Sequence, residues 1–115
     1  MELTAKKCVP CEGNVPRLGP DDVGRLMPQL RDWQISPDYR KLNKRFTYND
    51  FVEAMAFVNK MADLAESEGH HPDFTVHYSV VDVTLWTHAI GGLSENDFIL
   101  AAKIDRIEGN SIKER

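Results

Sequence analysis

Long apolar runs are missing from this chain of 115 residues: nowhere do about 18 apolar residues follow one another, the length a bilayer-spanning helix needs. The first residues, Met1-Glu2-Leu3-Thr4-Ala5-Lys6-Lys7, lack the apolar segment of a signal peptide. A cytoplasmic protein with no membrane contact is expected. Positive charge is in deficit, with 14 Lys+Arg against 18 Asp+Glu and a formal net charge of −4. No basic stripe interleaved with aromatics reverses that balance locally, so direct nucleic-acid binding is not expected. Cysteine is scarce, and both residues fall in one motif, Cys8-Val9-Pro10-Cys11. A structural zinc takes four ligands, yet no second CxxC is present. A thioredoxin-type site stands after a strand at a helix N-terminus, not in a proline- and glycine-rich arm. Reduced thiols are expected, with a zinc shared between subunits or redox activity as the alternatives. HEXXH, a glycine-rich phosphate loop and GxSxG are all absent.

What is present is an ordinary globular composition, 42% hydrophobic and 28% charged. A chain of this size buries roughly two-thirds of the surface its unfolded form exposes, enough for a core without disulfides or a metal. One domain is expected over residues 21–110, after an irregular arm, 1–20, and before a frayed tail, 111–115. Pro20 and Asp21-Asp22 suit a helix start, with Val23, Leu26, Met27 and Leu30 at helical spacing, weakened by Gly24 and Pro28. Trp33–Ser36 and Lys41–Phe46 flank a turn and read as a hairpin. The strongest helix begins at Asn49-Asp50, repeats apolar residues from Phe51 to Ala65, and ends near Glu68, where Gly69 offers a cap and Pro72 forbids continuation. Phe74–Tyr78 and Val80–Thr87 read as strands, the second placing Val81, Val83 and Leu85 opposite Asp82, Thr84 and Trp86. Ser94-Glu95-Asn96-Asp97 resembles a capping box with Asp in place of Glu or Gln, opening a helix through Ile104 or Ile107. Adjacent strands joined by short turns favour an antiparallel sheet. Amphipathic helices then cover one face, giving an α+β two-layer sandwich with four strands.

His70 and His71 stand just past the long helix, and His88 just past the second strand of the last pair. Element ends let side chains converge from a rigid frame, and imidazole both gives and takes protons near neutral pH. Two or three imidazoles in one cleft suit an elimination, in which one protonates a leaving hydroxyl while another accepts a proton. Two other readings compete. These are surface loop histidines, or His70, His71, His88 and Glu66 hold a metal, for which adjacent histidines are a poor fit. His77, in a strand without an acid-base partner, reads as structural. Trp33 and Trp86 could stack on a flat heterocycle, although strand tryptophans more often belong to a core.

The set Glu66-x-x-Gly69-His70-His71-Pro72-Asp73-Phe74, then Thr87-His88, then Gly92-Leu93-Ser94-Glu95-Asn96-Asp97, closely resembles the pterin-4a-carbinolamine dehydratases over about Trp33 to Ile107. The resemblance implies a four-stranded antiparallel sheet with helices on one face. It also implies a dehydratase that uses no cofactor and no metal, converting 4a-hydroxytetrahydropterin to quinonoid dihydropterin in tetrahydrobiopterin recycling, alongside aromatic amino-acid hydroxylases. Homodimers or homotetramers are implied as well, and relatives acting as dimerisation or assembly factors supply the alternative function.

Carried over, His70, His71 and His88 match the family's three active-site histidines. Glu66 and Asp97 match acidic residues of the site, and Trp33 a tryptophan bordering the pocket. Gly69 stands where many members carry Asp, which puts a carboxylate in question. The 4a-hydroxyl is a poor leaving group until protonated, and N5 loses a proton as the C4a=N5 bond forms. On this reading His70 and His88 act on the hydroxyl, and His71 binds the ring and handles the N5 proton. Glu66 and Asp97 then orient the imidazoles.

Overall fold

A computed structural model describes residues 2–9 and 16–113, with side chains to residue 108. Four strands, β1 (Gln34–Ile35), β2 (Leu42–Thr47), β3 (Asp73–His77) and β4 (Val80–Leu85), form one antiparallel sheet in the order β1-β2-β4-β3. Because β2 and β3 each run antiparallel to β4, they are parallel to one another, and a parallel pair needs a long crossover. The 18-residue helix α2 (Phe51–Glu68) supplies it. Helices α1 (Pro20–Leu26) and α3 (Glu95–Lys113) complete the chain, and no helix among the described residues is long and apolar enough to cross a membrane.

Strand alternation decides the layers. Val81, Val83 and Leu85 are at most 1% exposed and pair in register with Phe46, Lys44 and Leu42 of β2. On the opposite face Asp82 accepts two hydrogen bonds from the Arg45 guanidinium, at 2.7 and 3.0 Å, and Thr84 donates to Asn43 at 2.8 Å. A shallow depression of about 280 Å³ on that open face is lined by both of these pairs, together with Asp32 and Gln34. α2 buries Ala54, Phe57, Val58, Met61 and Ala65. The α1 stripe stops where Pro28 lacks the amide that would bond Gly24, and the chain tightens into a 3-10 turn over Met27–Gln29.

α3 is buried on most sides over Phe98–Ala102, because α2 packs on one flank and the N-terminal arm on another. The arm, expected as irregular chain, contains a 3-10 turn at Leu3–Ala5 and sinks Leu3 and Cys8 into the core. Its polar ties are specific. The Cys8 amide donates to Glu68 at 2.9 Å, the Val9 amide to Asn96 at 2.9 Å, and Lys6 pairs with Glu95 at 2.8 Å. Cys11 lies outside the described residues, as do Met1, residues 10–15 and residues 114–115. The α3 backbone is helical through Lys113, past the point where fraying was expected.

Burial raises the Glu68 carboxyl, but the Cys8 amide and the Lys103 ammonium at 2.6 Å outweigh it and hold Glu68 below the ordinary carboxylate range. A carboxylate whose pKa falls on folding stabilises the native state above its unfolded value, about 4.3, and loses that contribution as pH drops through the folded value. Glu68→Gln is therefore expected to destabilise the protein by about 1 to 2 kcal/mol at pH 7. The difference from wild type, read by urea unfolding, should shrink as the pH is lowered below 4.

Candidate active site

Asp73 of β3 pairs with Thr84 of β4, so the start of β3 and the end of β4 lie at one end of the sheet. The C-terminus of α2 and the N-terminus of α3 arrive at the same end. α2 stops in a Schellman turn. Gly69 adopts φ +67°, its amide donates to the Glu66 carbonyl, and the His70 amide donates to the Ala65 carbonyl. That reversal folds His70 back beneath the helix end, while Pro72 directs the chain into β3. On the other side a 3-10 turn over His88–Ile90, closed by Gly91 at φ +62° and the Thr87–Gly92 bridge, fixes the backbone of His88.

Between these segments lies an open cleft of about 430 Å³, lined by Gly69, His70, His71, Pro72, Asp73, Trp86, His88 and Ala89. Its size falls in the range of small-molecule sites. Each imidazole faces a carboxylate of its own. His70 Nε2 lies 2.6 Å from Asp97 Oδ1, with both side chains at most 5% exposed. The second Asp97 oxygen accepts from the Thr87 hydroxyl at 2.8 Å and from the Ser94 amide at 2.9 Å, which forms one half of the expected capping box; the Asp97 amide donates to the Ser94 carbonyl, and the Ser94 hydroxyl pairs with Thr87 instead. His71 Nε2 meets Glu66 at 2.5 Å in the open. His88 Nε2 lies 3.5 Å from Asp73 Oδ2, and the Trp86 indole donates to that same oxygen at 3.0 Å. Trp86 stacks on His88 with ring centroids 4.0 Å apart, and the Lys41 ammonium lies 4.7 Å from the Trp86 ring centre. Among the described residues, no three His, Cys, Asp or Glu side chains gather at metal-ligand spacing.

Six residues were singled out for the site, and the structure draws five of them together. Trp33 stands apart. It is 5% exposed, packs edge-on against Phe46, and donates its indole N–H to Asp105 at 2.9 Å, so it does not line this cleft. The tryptophan at the cleft is Trp86. His77 ends β3 on the solvent side, away from the lining residues. Asp73 and Thr87 were quoted only as parts of motifs. Their partners depend on the β3–β4 register and on the cap of α3, which no local spacing reveals. Gly69 also becomes intelligible: all three histidines already face a carboxylate, and position 69 has a positive φ that glycine adopts without strain.

An open-faced α+β sandwich thus presents, at one end of its sheet, a cleft of small-molecule size in which three imidazoles each face a carboxylate. The sequence matches the family described as pterin 4 alpha carbinolamine dehydratase over residues 16–107. It is 42% identical over 107 residues to a Halorhodospira halophila protein named "Putative pterin-4-alpha-carbinolamine dehydratase", spanning 93% of this chain and 98% of the relative. A Rickettsia canadensis protein of the same name is 46% identical, spanning 90% and 94%. Among solved structures, a transcriptional coactivator/pterin dehydratase from Brucella melitensis superposes with a TM-score of 0.76 at 33% identity, covering 80% of this chain and 98% of that one. A pterin dehydratase-like protein identified as a RuBisCO assembly factor in the alpha-carboxysome gives 0.60 at 27% identity, covering 70% and 94%. The chain belongs to the pterin 4 alpha carbinolamine dehydratase family.

Proposed function

We propose that this protein dehydrates 4a-hydroxytetrahydropterin to quinonoid dihydropterin by imidazole acid-base catalysis, in recycling the tetrahydrobiopterin used by aromatic amino-acid hydroxylases. The observation that carries the reading is the convergence of His70, His71 and His88 on one cleft, each with a carboxylate. His70 is the most rigidly held, since Asp97 is itself fixed by two further donors. It suits a group that must be aimed at the 4a-oxygen. His88, on the opposite wall with Trp86, completes the pair that protonates the hydroxyl and carries it off as water. His71, exposed beside Glu66, binds the ring and takes the N5 proton. Loss of water and loss of the N5 proton balance without an oxidant or a metal.

The decisive assay follows dehydration of a synthetic 4a-hydroxytetrahydropterin above its background rate in water. Acceleration that survives EDTA supports the reading, and no acceleration overturns it. The second reading, an assembly factor, is favoured by the likeness to the alpha-carboxysome protein. A protein of this fold that binds a partner and leaves the pterin untouched would establish it.

A homo-oligomer belongs to the same proposal. The outer edge of β3 pairs with no strand among the described residues, and Phe74 and Tyr78 beside it are 42% and 67% exposed. Such an edge is a template for a second copy. Light scattering at micromolar concentration is expected to give a multiple of 13.1 kDa, and a monomer mass would refute it.

A further inference from the structure

We propose that Asp73 is a positioning residue for His88: its carboxylate clamps the Trp86 indole and the His88 imidazole into one stacked unit and so aims His88 across the cleft. The inference rests on the dehydratase reading for its catalytic consequence but not for its geometry. Asp73 opens β3 opposite Thr84, so Trp86, two residues beyond Thr84, is its diagonal neighbour on the same face of the sheet. One oxygen, Oδ2, takes the indole N–H at 3.0 Å and faces His88 Nε2 at 3.5 Å. The indole bond is formed. The imidazole contact is an ion-pair distance, longer than a good hydrogen bond, of the kind that tightens when substrate arrives.

Stacking at 4.0 Å supplies the second restraint on the ring. Neither restraint alone suffices. His88 is 60% exposed at its side chain, and its 3-10 turn fixes only the backbone. An imidazole so exposed samples several rotamers unless a carboxylate and an aromatic face select one. With Nε2 turned to Asp73, Nδ1 is the nitrogen left for the substrate. The charged and titratable groups around His88 are Asp73 from β3, Lys41 over Trp86 from the segment before β2, and His70 with Asp97 and His71 with Glu66 on the facing wall. Asp73 is the one carboxylate among these in contact with His88.

The test compares Asp73→Ala, Asp73→Asn and wild type in two measurements. Asp73 is exposed, so the variants are expected to fold, as circular dichroism and unchanged thermal midpoints will show. The first measurement is NMR of the imidazole. In wild type the His88 ring protons are expected to carry an upfield ring-current shift from Trp86, stacked at 4.0 Å, and long-range proton–nitrogen correlations are expected to report one favoured tautomer. Asp73→Ala is expected to abolish the shift and mix the tautomers. Asp73→Asn keeps an acceptor for the indole and is expected to retain part of the shift but lose the tautomer preference. The second is turnover of the 4a-hydroxytetrahydropterin, where Asp73→Ala is expected to lower kcat about tenfold with KM changed less, at the low end of what an orienting partner is worth. His88 resonances that do not move in Asp73→Ala overturn the clamp. Resonances that move while kcat stays the same overturn its catalytic consequence. If wild type shows no turnover but the resonances respond, the dehydratase reading fails and the clamp stands.

Discussion

Replacing His70 or His88 with alanine is expected to lower kcat by about 100-fold or more, the usual scale for a positioned proton-transfer group. The two losses should differ in origin. His70 is 4% exposed and bonded to Asp97, which is fully buried, so His70→Ala removes the proposed acid-base group and leaves a carboxylate under the cleft with one partner fewer. Part of its effect will appear as reduced stability, because a buried charge that loses a donor is costly. His88→Ala removes an exposed ring and leaves the fold intact. Unfolding curves beside kinetics therefore separate the two. His71→Ala should raise KM at least as strongly as it lowers kcat, given its exposed place beside Glu66. His77→Ala, outside the cleft, should do neither. Rates must be compared after subtracting the reaction in water, and equal small losses in all four variants would overturn the catalytic assignment.

The largest expected loss of stability comes from a cluster outside the cleft. Asp105 of α3 is 4% exposed and accepts from the Trp33 indole at 2.9 Å, the Arg31 amide at 2.9 Å and the Lys44 ammonium at 2.8 Å. Lys44 lies on the helix-facing side of β2 with its side chain 11% exposed, and it also donates to the Arg31 carbonyl. Asp105→Ala takes the counter-charge from a largely buried ammonium and the acceptor from the buried Trp33 indole and the part-buried Arg31 amide, at an expected cost of about 3 to 5 kcal/mol in urea unfolding. Replacing both partners, Lys44→Met with Asp105→Leu, should recover much of that loss, since a matched apolar pair avoids the desolvation of both charges. A double variant as unstable as Asp105→Ala would show that the Trp33 and Arg31 bonds, rather than the ion pair, carry the effect.

How much of this was legible depended on whether the signal was local. The α2 helix was, because its apolar spacing, the Asp50 cap and Gly69 all lie within one segment, and the bonds from Glu53 N and His70 N form as those residues require. The start of α3 was legible for the same reason, although only the bond from the Ser94 amide to Asp97 forms and the Ser94 hydroxyl turns to Thr87. The site was readable as far as motifs reach: His70, His71, His88, Glu66 and Asp97 meet at one end of the sheet. Trp33 was not. A tryptophan near a strand looks the same in sequence whether it borders a pocket or a core, and its place was decided by Asp105, 72 residues away. Asp73 was hidden for the converse reason, since its pairing with Trp86 and His88 exists only once β3 and β4 adopt their register. Composition marked the arm as irregular backbone, which it is apart from the turn at Leu3–Ala5, but proline and glycine do not reveal that Leu3 and Cys8 are buried in the core.

Asp97 both closes the first turn of α3 and holds His70, and this double duty constrains how the family can diverge. A lineage that abandons turnover is free to change His71, Glu66, His88 and Asp73 at the exposed rim, where little of the fold is at stake. It is not free to change Asp97 in the same way, because the helix start would lose the bond to the Ser94 amide along with the partner of His70. Descendants recruited to other duties are therefore expected to keep the buried half of the old site as a fossil while the rim drifts. Sequencing of variants selected for folding alone would reveal that asymmetry.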